Sequence, residues 1–148
     1  MRISIGSDHA GFELKKTIAD WLKKSGYETE DKGTFSADSV DYPDFAALVA
    51  KGVAQDSSDK GIIVCSSGVG VTMAANKIKG VRAANCYNVE IAKLSRAHNN
   101  ANVLTLGARF LDNKLALKIT DAWLNTEFEG GRHQRRVDKI SELEEENG

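Results

Sequence analysis

Cys65 closes the uncharged run Gly61-Ile62-Ile63-Val64 and opens into the glycine-interrupted turn Ser66-Ser67-Gly68-Val69-Gly70. A thiol placed between a strand and a helix faces the unpaired N–H groups and partial positive charge of the first helical turn. That setting favours the thiolate, and hence a proton acceptor, and it invites an anion onto the amides of the turn. Three familiar anion loops do not fit. A dinucleotide fingerprint needs glycine where this chain has Met73, and a triphosphate loop needs Gly-Lys-Ser/Thr. Neither this turn nor Gly6-Ser7-Asp8-His9-Ala10-Gly11 contains that tripeptide. A cysteine phosphatase would close its loop with arginine at the place Val71 occupies. Cys86 lacks a strand-end setting and reads as a small buried hydrophobe.

The other residues able to do chemistry are scattered along the chain. Asp8 and His9 follow a strand-like Arg2–Gly6; Asp8 can cap the next helix, take part in chemistry, or do both. His98 precedes Asn99 and Asn100 at a helix end, where polar residues are either solvated or used. Near the C-terminus, Arg132-His133-Gln134-Arg135-Arg136 opens a helix whose apolar side is Val137, Ile140 and Leu143. At about 100° per residue, Arg136 falls close to that side with Arg132 beside it, while Arg135 points away. Two guanidinium forks on one face suit a phosphate; the alternative is a solvated face paired with the acidic tail. Glu142, Glu144, Glu145 and Glu146 read as that solvated tail.

The elements that must position these residues alternate regularly. Arg2–Gly6 is a strand, followed by a helix with Leu14, Ile18, Trp21 and Leu22 on one side and Gly26 at its end. Tyr27–Lys32 alternates but is charged at nearly every residue, which suits a sheet edge. A polar loop leads to a helix begun by Tyr42-Pro43-Asp44 and carrying Phe45, Leu48, Val49 and Val53. Ile62-Ile63-Val64 has no alternation and suits a central strand covered on both faces. Then follow a short helix over 71–77, a strand over 81–86, a helix over 89–98, a strand over 102–107 and a helix over 111–124.

This order predicts an α/β fold: a Rossmann-like three-layer α/β/α arrangement with a five-stranded parallel sheet and an extra C-terminal helix. Ligands of such sheets lie beyond the carboxyl ends of the strands, which nominates Asp8, His9, Cys65–Gly70 and Arg109. A chain of 148 residues, 41% hydrophobic, is expected to form one domain, with 130–148 as its terminal helix and tail. With 20 basic and 21 acidic residues, there is no general attraction to nucleic acid or to an anionic membrane. No apolar run reaches the roughly 18 residues of a membrane span. The strand-like start Arg2-Ile-Ser-Ile5, without a signal-peptide pattern, predicts a cytoplasmic setting, and two cysteines without a metal-ligand spacing predict reduced thiols and no metal.

Taken together, Gly6-Ser-Asp-His-Ala-Gly11, Asp41-Tyr-Pro43, Cys65-Ser-Ser-Gly-Val-Gly70, Ala74-Ala-Asn-Lys77, Ser95-Arg-Ala-His-Asn-Asn100 and Gly130-Gly-Arg-His-Gln-Arg-Arg136 resemble the B-type ribose-5-phosphate isomerases and their galactose- and allose-6-phosphate relatives. The resemblance runs nearly end to end. It implies an aldose–ketose isomerase of pentose phosphate metabolism that needs no cofactor and works as a homodimer, or as a tetramer, with each site built from both subunits. It implies Cys65 as the base moving a proton between C2 and C1, His98 in ring opening, and Asp8 assisting with the hydroxyl proton. Ser66, Ser67, Gly68, Val69 and Gly70 match the loop holding the enediolate. His9, Asn99, Arg109, Arg132 and Arg136 match phosphate or substrate contacts, and Tyr42 lines the sugar pocket. The chain follows the cysteine branch of the family, since the glutamate of the other branch would stand at Val71. Ser66-Ser67 replaces a common Gly-Thr. The alternative substrates are allose and galactose 6-phosphates. A flavodoxin-like phosphate-ligand module with a redox-sensing Cys65 is the reading from a different class.

Overall fold

The computed structural model describes residues 1–147. Its elements are β1 (Arg2–Ser7), α1 (Phe12–Lys24), β2 (Glu28–Asp31), α2 (Tyr42–Ala54), β3 (Lys60–Cys65), α3 (Val69–Ala75), β4 (Ala83–Asn85), α4 (Val89–Ala97), β5 (Val103–Gly107), α5 (Asn113–Leu124) and α6 (Arg132–Asn147). The strands form one sheet in the order β2-β1-β3-β5-β4, every pair parallel. The uncharged strand is the middle one and the charged strand is an edge, as the composition of each requires. Glu28 and Glu30 of β2 point to solvent.

Successive residues of a strand face opposite sides, so a strand buried on both faces supplies two cores. Ile62 and Val64 join Ile3, Ile5, Leu104 and Leu106 beneath α1, α4 and α5. Ile63 and Cys65 join Val49, Val53, Val71 and Val103 beneath α2 and α3. Trp123 of α5 is wholly buried in the first core, and its truncation to alanine should cost about 3–5 kcal/mol.

Several elements depart from the sequence reading. Helix α3 begins at Val69, two residues before the expected start, and the strand expected over 81–86 pairs only through Ala83–Asn85. Helices α4 and α5 start where Asn88 and Asp112 accept the Ile91 and Leu115 N–H groups. Leu48, expected inward, is 48% exposed. Lys15, unremarkable in the sequence, is fully buried, with its Nζ 2.8 Å from Asp31 and 2.5 Å from the Thr34 carbonyl oxygen.

The largest departure is α6. Its buried residues are His133 and Val137, whereas Ile140 and Leu143 are 44% and 57% exposed. Arg136, expected near the inward side, is exposed along with Arg132 and Arg135. The reason is that α6 touches the rest of the chain near its two ends. His133 and Val137 pack at one end, and at the other Glu144 accepts the Gly80 N–H while Glu145 meets Lys79. Between them the helix spans a cavity of about 770 Å³ lined in part by Val81, Ala83, Asn99, Ile140 and Leu143. Gly148, the last residue of the expected tail, lies outside the described residues. None of the described helices is long and apolar enough to cross a membrane.

Candidate active site

At the carboxyl end of β3 the Cys65 thiol is 5% exposed, and its Sγ accepts the Gly68 N–H at 3.1 Å. Gly68 caps α3 in the left-handed conformation (φ 82°), and a Cβ there would also lie 2.4 Å from Asn85 Oδ1. Glycine alone meets both demands. The turn is fastened from behind. The Cys65 and Ser66 carbonyls accept the N–H groups of Ala108 and Arg109, and Thr72 Oγ1 donates to the Gly68 carbonyl while meeting Thr105 Oγ1. Ser67 stays exposed, its Oγ accepting the Val69 N–H. By contrast, Cys86 is completely buried, and burial pushes its thiol up to about 11, so it stays protonated in the core.

The neighbouring strand ends bring other expected residues to the same rim. Asp8 follows β1, with its own N–H donating to the Val64 carbonyl. Its carboxylate accepts the Gly11 N–H at 3.0 Å, so it does fasten the start of α1. His9 is exposed, and its Nδ1 accepts the Val40 N–H, drawing the 33–41 loop toward the rim. Tyr42, at the first turn of α2, lays its ring over Gly70, where a Cβ would stand 2.4 Å from the ring edge. Arg109 is exposed just after β5.

His98, Asn99, Arg132 and Arg136 are elsewhere. Helix α4 runs back against the strands, so its C-cap, His98, lies at the amino end of the sheet. The five residues of β5 separate the two ends by about 17 Å at roughly 3.3 Å per residue. Arg132 begins α6 beside that helix end, because the Glu129 N–H donates to the Ala97 carbonyl and Gly130-Gly131 turns the chain with φ 69° and 55°. The structure therefore sorts the expected residues into two groups at opposite ends of one sheet.

The amino-end group contains two residues that the sequence reading did not single out. His133 stacks on His98 with ring centroids 4.2 Å apart and planes 11° from parallel. Glu129 Oε1 lies 3.6 Å from His133 Nε2 and 3.9 Å from His98 Nε2, close enough for charge to act but beyond hydrogen-bond distance. Burial, and then the neighbouring His98 and Arg132, hold the His133 imidazole below its ordinary value, against the pull of Glu129. Donor atoms of the three residues lie within 4.8 Å of one another, the one such trio among the described residues. A metal binds in the plane of each imidazole it ligates, and stacked parallel rings aim their lone pairs side by side. An ion shared by both nitrogens would stand out of both planes, so this arrangement suits a stacked pair better than a metal centre. The sequence signal for the approach of Glu129 to His133 was their spacing of four across Gly130-Gly131; nothing in it pointed to His98.

Residues 3–140 match the family model described as Ribose/Galactose Isomerase. Ribose-5-phosphate isomerase B of Escherichia coli K12 is 47% identical over 144 residues, covering 97% of each chain. Among solved structures, the Clostridium thermocellum ribose-5-phosphate isomerase B superposes with a TM-score of 0.99 at 53% identity, over the full length of both chains. The Mycoplasma genitalium enzyme, solved with bound ribulose-5-phosphate, gives a TM-score of 0.95 at 50% identity, covering 98% of this chain and 97% of that one.

Proposed function

From the premise that this chain belongs to the ribose/galactose isomerase family, we propose that it interconverts ribose 5-phosphate and ribulose 5-phosphate, with Cys65 as the base. The observation that carries the role of Cys65 is a lone thiol at a strand end, beneath a turn whose amide already reaches its sulfur. An aldose–ketose isomerase must open the furanose, move a proton between C2 and C1, and stabilise an enediolate. Cys65 takes the proton, and Asp8, on the adjacent strand end, assists the hydroxyl. Backbone N–H groups of Ser66–Gly70 receive the developing negative charge, each preorganised donor being worth roughly 3 kcal/mol. Tyr42 closes the sugar pocket over Gly70.

Ring opening and phosphate binding fall to His98, Asn99, Arg132 and Arg136, with His9 and Arg109 reaching from the Cys65 rim. Anchoring the phosphate spends remote binding energy on alignment at C1 and C2. Within one chain these residues face away from Cys65 across the sheet. A second copy supplies the missing half in our reading, which makes the working unit a homodimer with two shared sites. Exposed apolar residues beside each half support this: Tyr42, Leu48, Val69 and Met73 at one end, Ile140 and Leu143 at the other.

The test is turnover of ribose, allose and galactose phosphates by purified protein. Ribose 5-phosphate is expected to give the highest kcat/KM. A clear preference for either hexose phosphate would overturn the assignment of substrate, and no turnover of any sugar phosphate would overturn the reading.

A further inference from the structure

Resting on that reading of His98, we propose that His133 is a positioning residue for ring opening: its buried ring is the platform that fixes the plane of the His98 imidazole where it meets the furanose.

The two rings differ in how they are held. The His98 side chain is 40% exposed and sits at a helix C-cap, where nothing but its backbone N–H, bonded to the Leu94 carbonyl, is fastened. The His133 side chain is 10% exposed and lies in the first turn of α6, with its N–H on the Gly130 carbonyl. An unfastened imidazole samples several ring orientations, while ring opening needs one nitrogen aimed at the ring oxygen and the anomeric hydroxyl. A parallel partner at 4.2 Å removes the rotations that would carry the ring through it. The charged groups around the pair are Glu129 from the connecting segment and Arg132 and Arg136 from α6. The carboxylate offsets part of the charge of the two guanidinium groups, which eases the sharing of one small region by the acid–base ring and the phosphate anchors.

The inference assigns to His133 no contact with substrate and no proton transfer, which makes its ring, and not its nitrogens, the important part. For a reversible isomerase the ratio of kcat/KM values in the two directions is fixed by the equilibrium constant, so ring opening must be isolated by another readout. Ribulose 5-phosphate cannot close a furanose, because its O5 carries the phosphate. Its C1 hydrogen can exchange with solvent deuterium through the enediolate without any ring step.

In His133→Ala, conversion of ribose 5-phosphate should fall roughly tenfold through loss of alignment, while deuterium exchange into ribulose 5-phosphate stays near wild type. His133→Phe, which keeps a stacking ring and discards both nitrogens, should restore most of the conversion. Unchanged conversion in His133→Ala, exchange falling by the same factor as conversion, or a phenylalanine variant as slow as the alanine one would each overturn the inference. His98→Ala is the control that separates the two readings. If it spares conversion, the role of His98 falls and this inference with it. If it slows conversion selectively and His133→Ala does not, only the platform is lost.

Discussion

Cys65 and His133 illustrate two ways in which a side chain acquires a role. The role proposed for Cys65 rests on position, as a thiol at the end of a buried strand with an amide aimed at its sulfur. We expect Cys65→Ala to abolish exchange of the substrate C2 hydrogen, a loss of at least about 10²-fold for a removed base. Affinity for the sugar phosphate should be largely kept; wild-type exchange in the variant would remove the assignment. His133 also makes stability depend on pH. Its folded value is depressed below the ordinary 6.5, chiefly by burial, so the unfolded chain binds the proton first as pH falls. Stability from this residue is intact above pH about 6.5 and is lost as pH falls through the lowered folded value. Urea midpoints measured across that window should fall less steeply for His133→Phe than for wild type. At this scale the gathering of Cys65, Asp8 and the Ser66–Gly70 turn on one rim was legible, because place at a strand end suffices to predict it. The pairing of His98 with His133 was not, since stacking depends on how α4 meets α6.

At the scale of elements, β3 was legible because an uncharged, non-alternating run has few homes other than the centre of a parallel sheet. The edge strand β2 was legible from its charges. Helix α6 was misread, and the cause is instructive. Periodicity identifies the apolar side of a helix but not what covers it, and α6 meets its own chain only near its ends. Buried Lys15 was illegible for a related reason: its ammonium is held by Asp31 and the Thr34 carbonyl, partners brought together only by the fold. Removing the carboxylate with Asp31→Ala should cost about 3 kcal/mol or more, read as a lowered urea midpoint, because it strands a buried charge. Lys15→Met should cost less. Gly68→Ala tests the α3 turn itself: a side chain at φ 82°, 2.4 Å from Asn85 Oδ1, should cost on the order of 1–3 kcal/mol. It should also lower kcat, by displacing the amide that meets Cys65.

At the scale of the molecule, the sequence order carried more than was first read from it. In a regular strand–helix alternation every returning helix ends at the amino end of the sheet, so His98, as the cap of the helix that precedes a strand, was bound to lie opposite Cys65. The rule that ligands gather at strand carboxyl ends nominated Asp8, His9, Cys65–Gly70 and Arg109, and the fold does bring these to one rim. The place of the other group follows from the same topology once the helix direction is counted. If the halves meet across two copies, mixing and refolding Cys65→Ala with His98→Ala should regenerate about a quarter of wild-type activity, since half the dimers are mixed and each holds one intact site. No recovery would place both halves in one chain and overturn the shared site.

In the shared-site reading, the separation of the two groups by the length of β5 also makes catalysis a matter of mass action. Neither group can act alone, so in the shared-site reading a dissociated chain is wholly inactive, not partly so. Specific activity should then fall as enzyme is diluted toward the dimer dissociation constant, and substrate, touching both copies, should oppose that fall by holding them together.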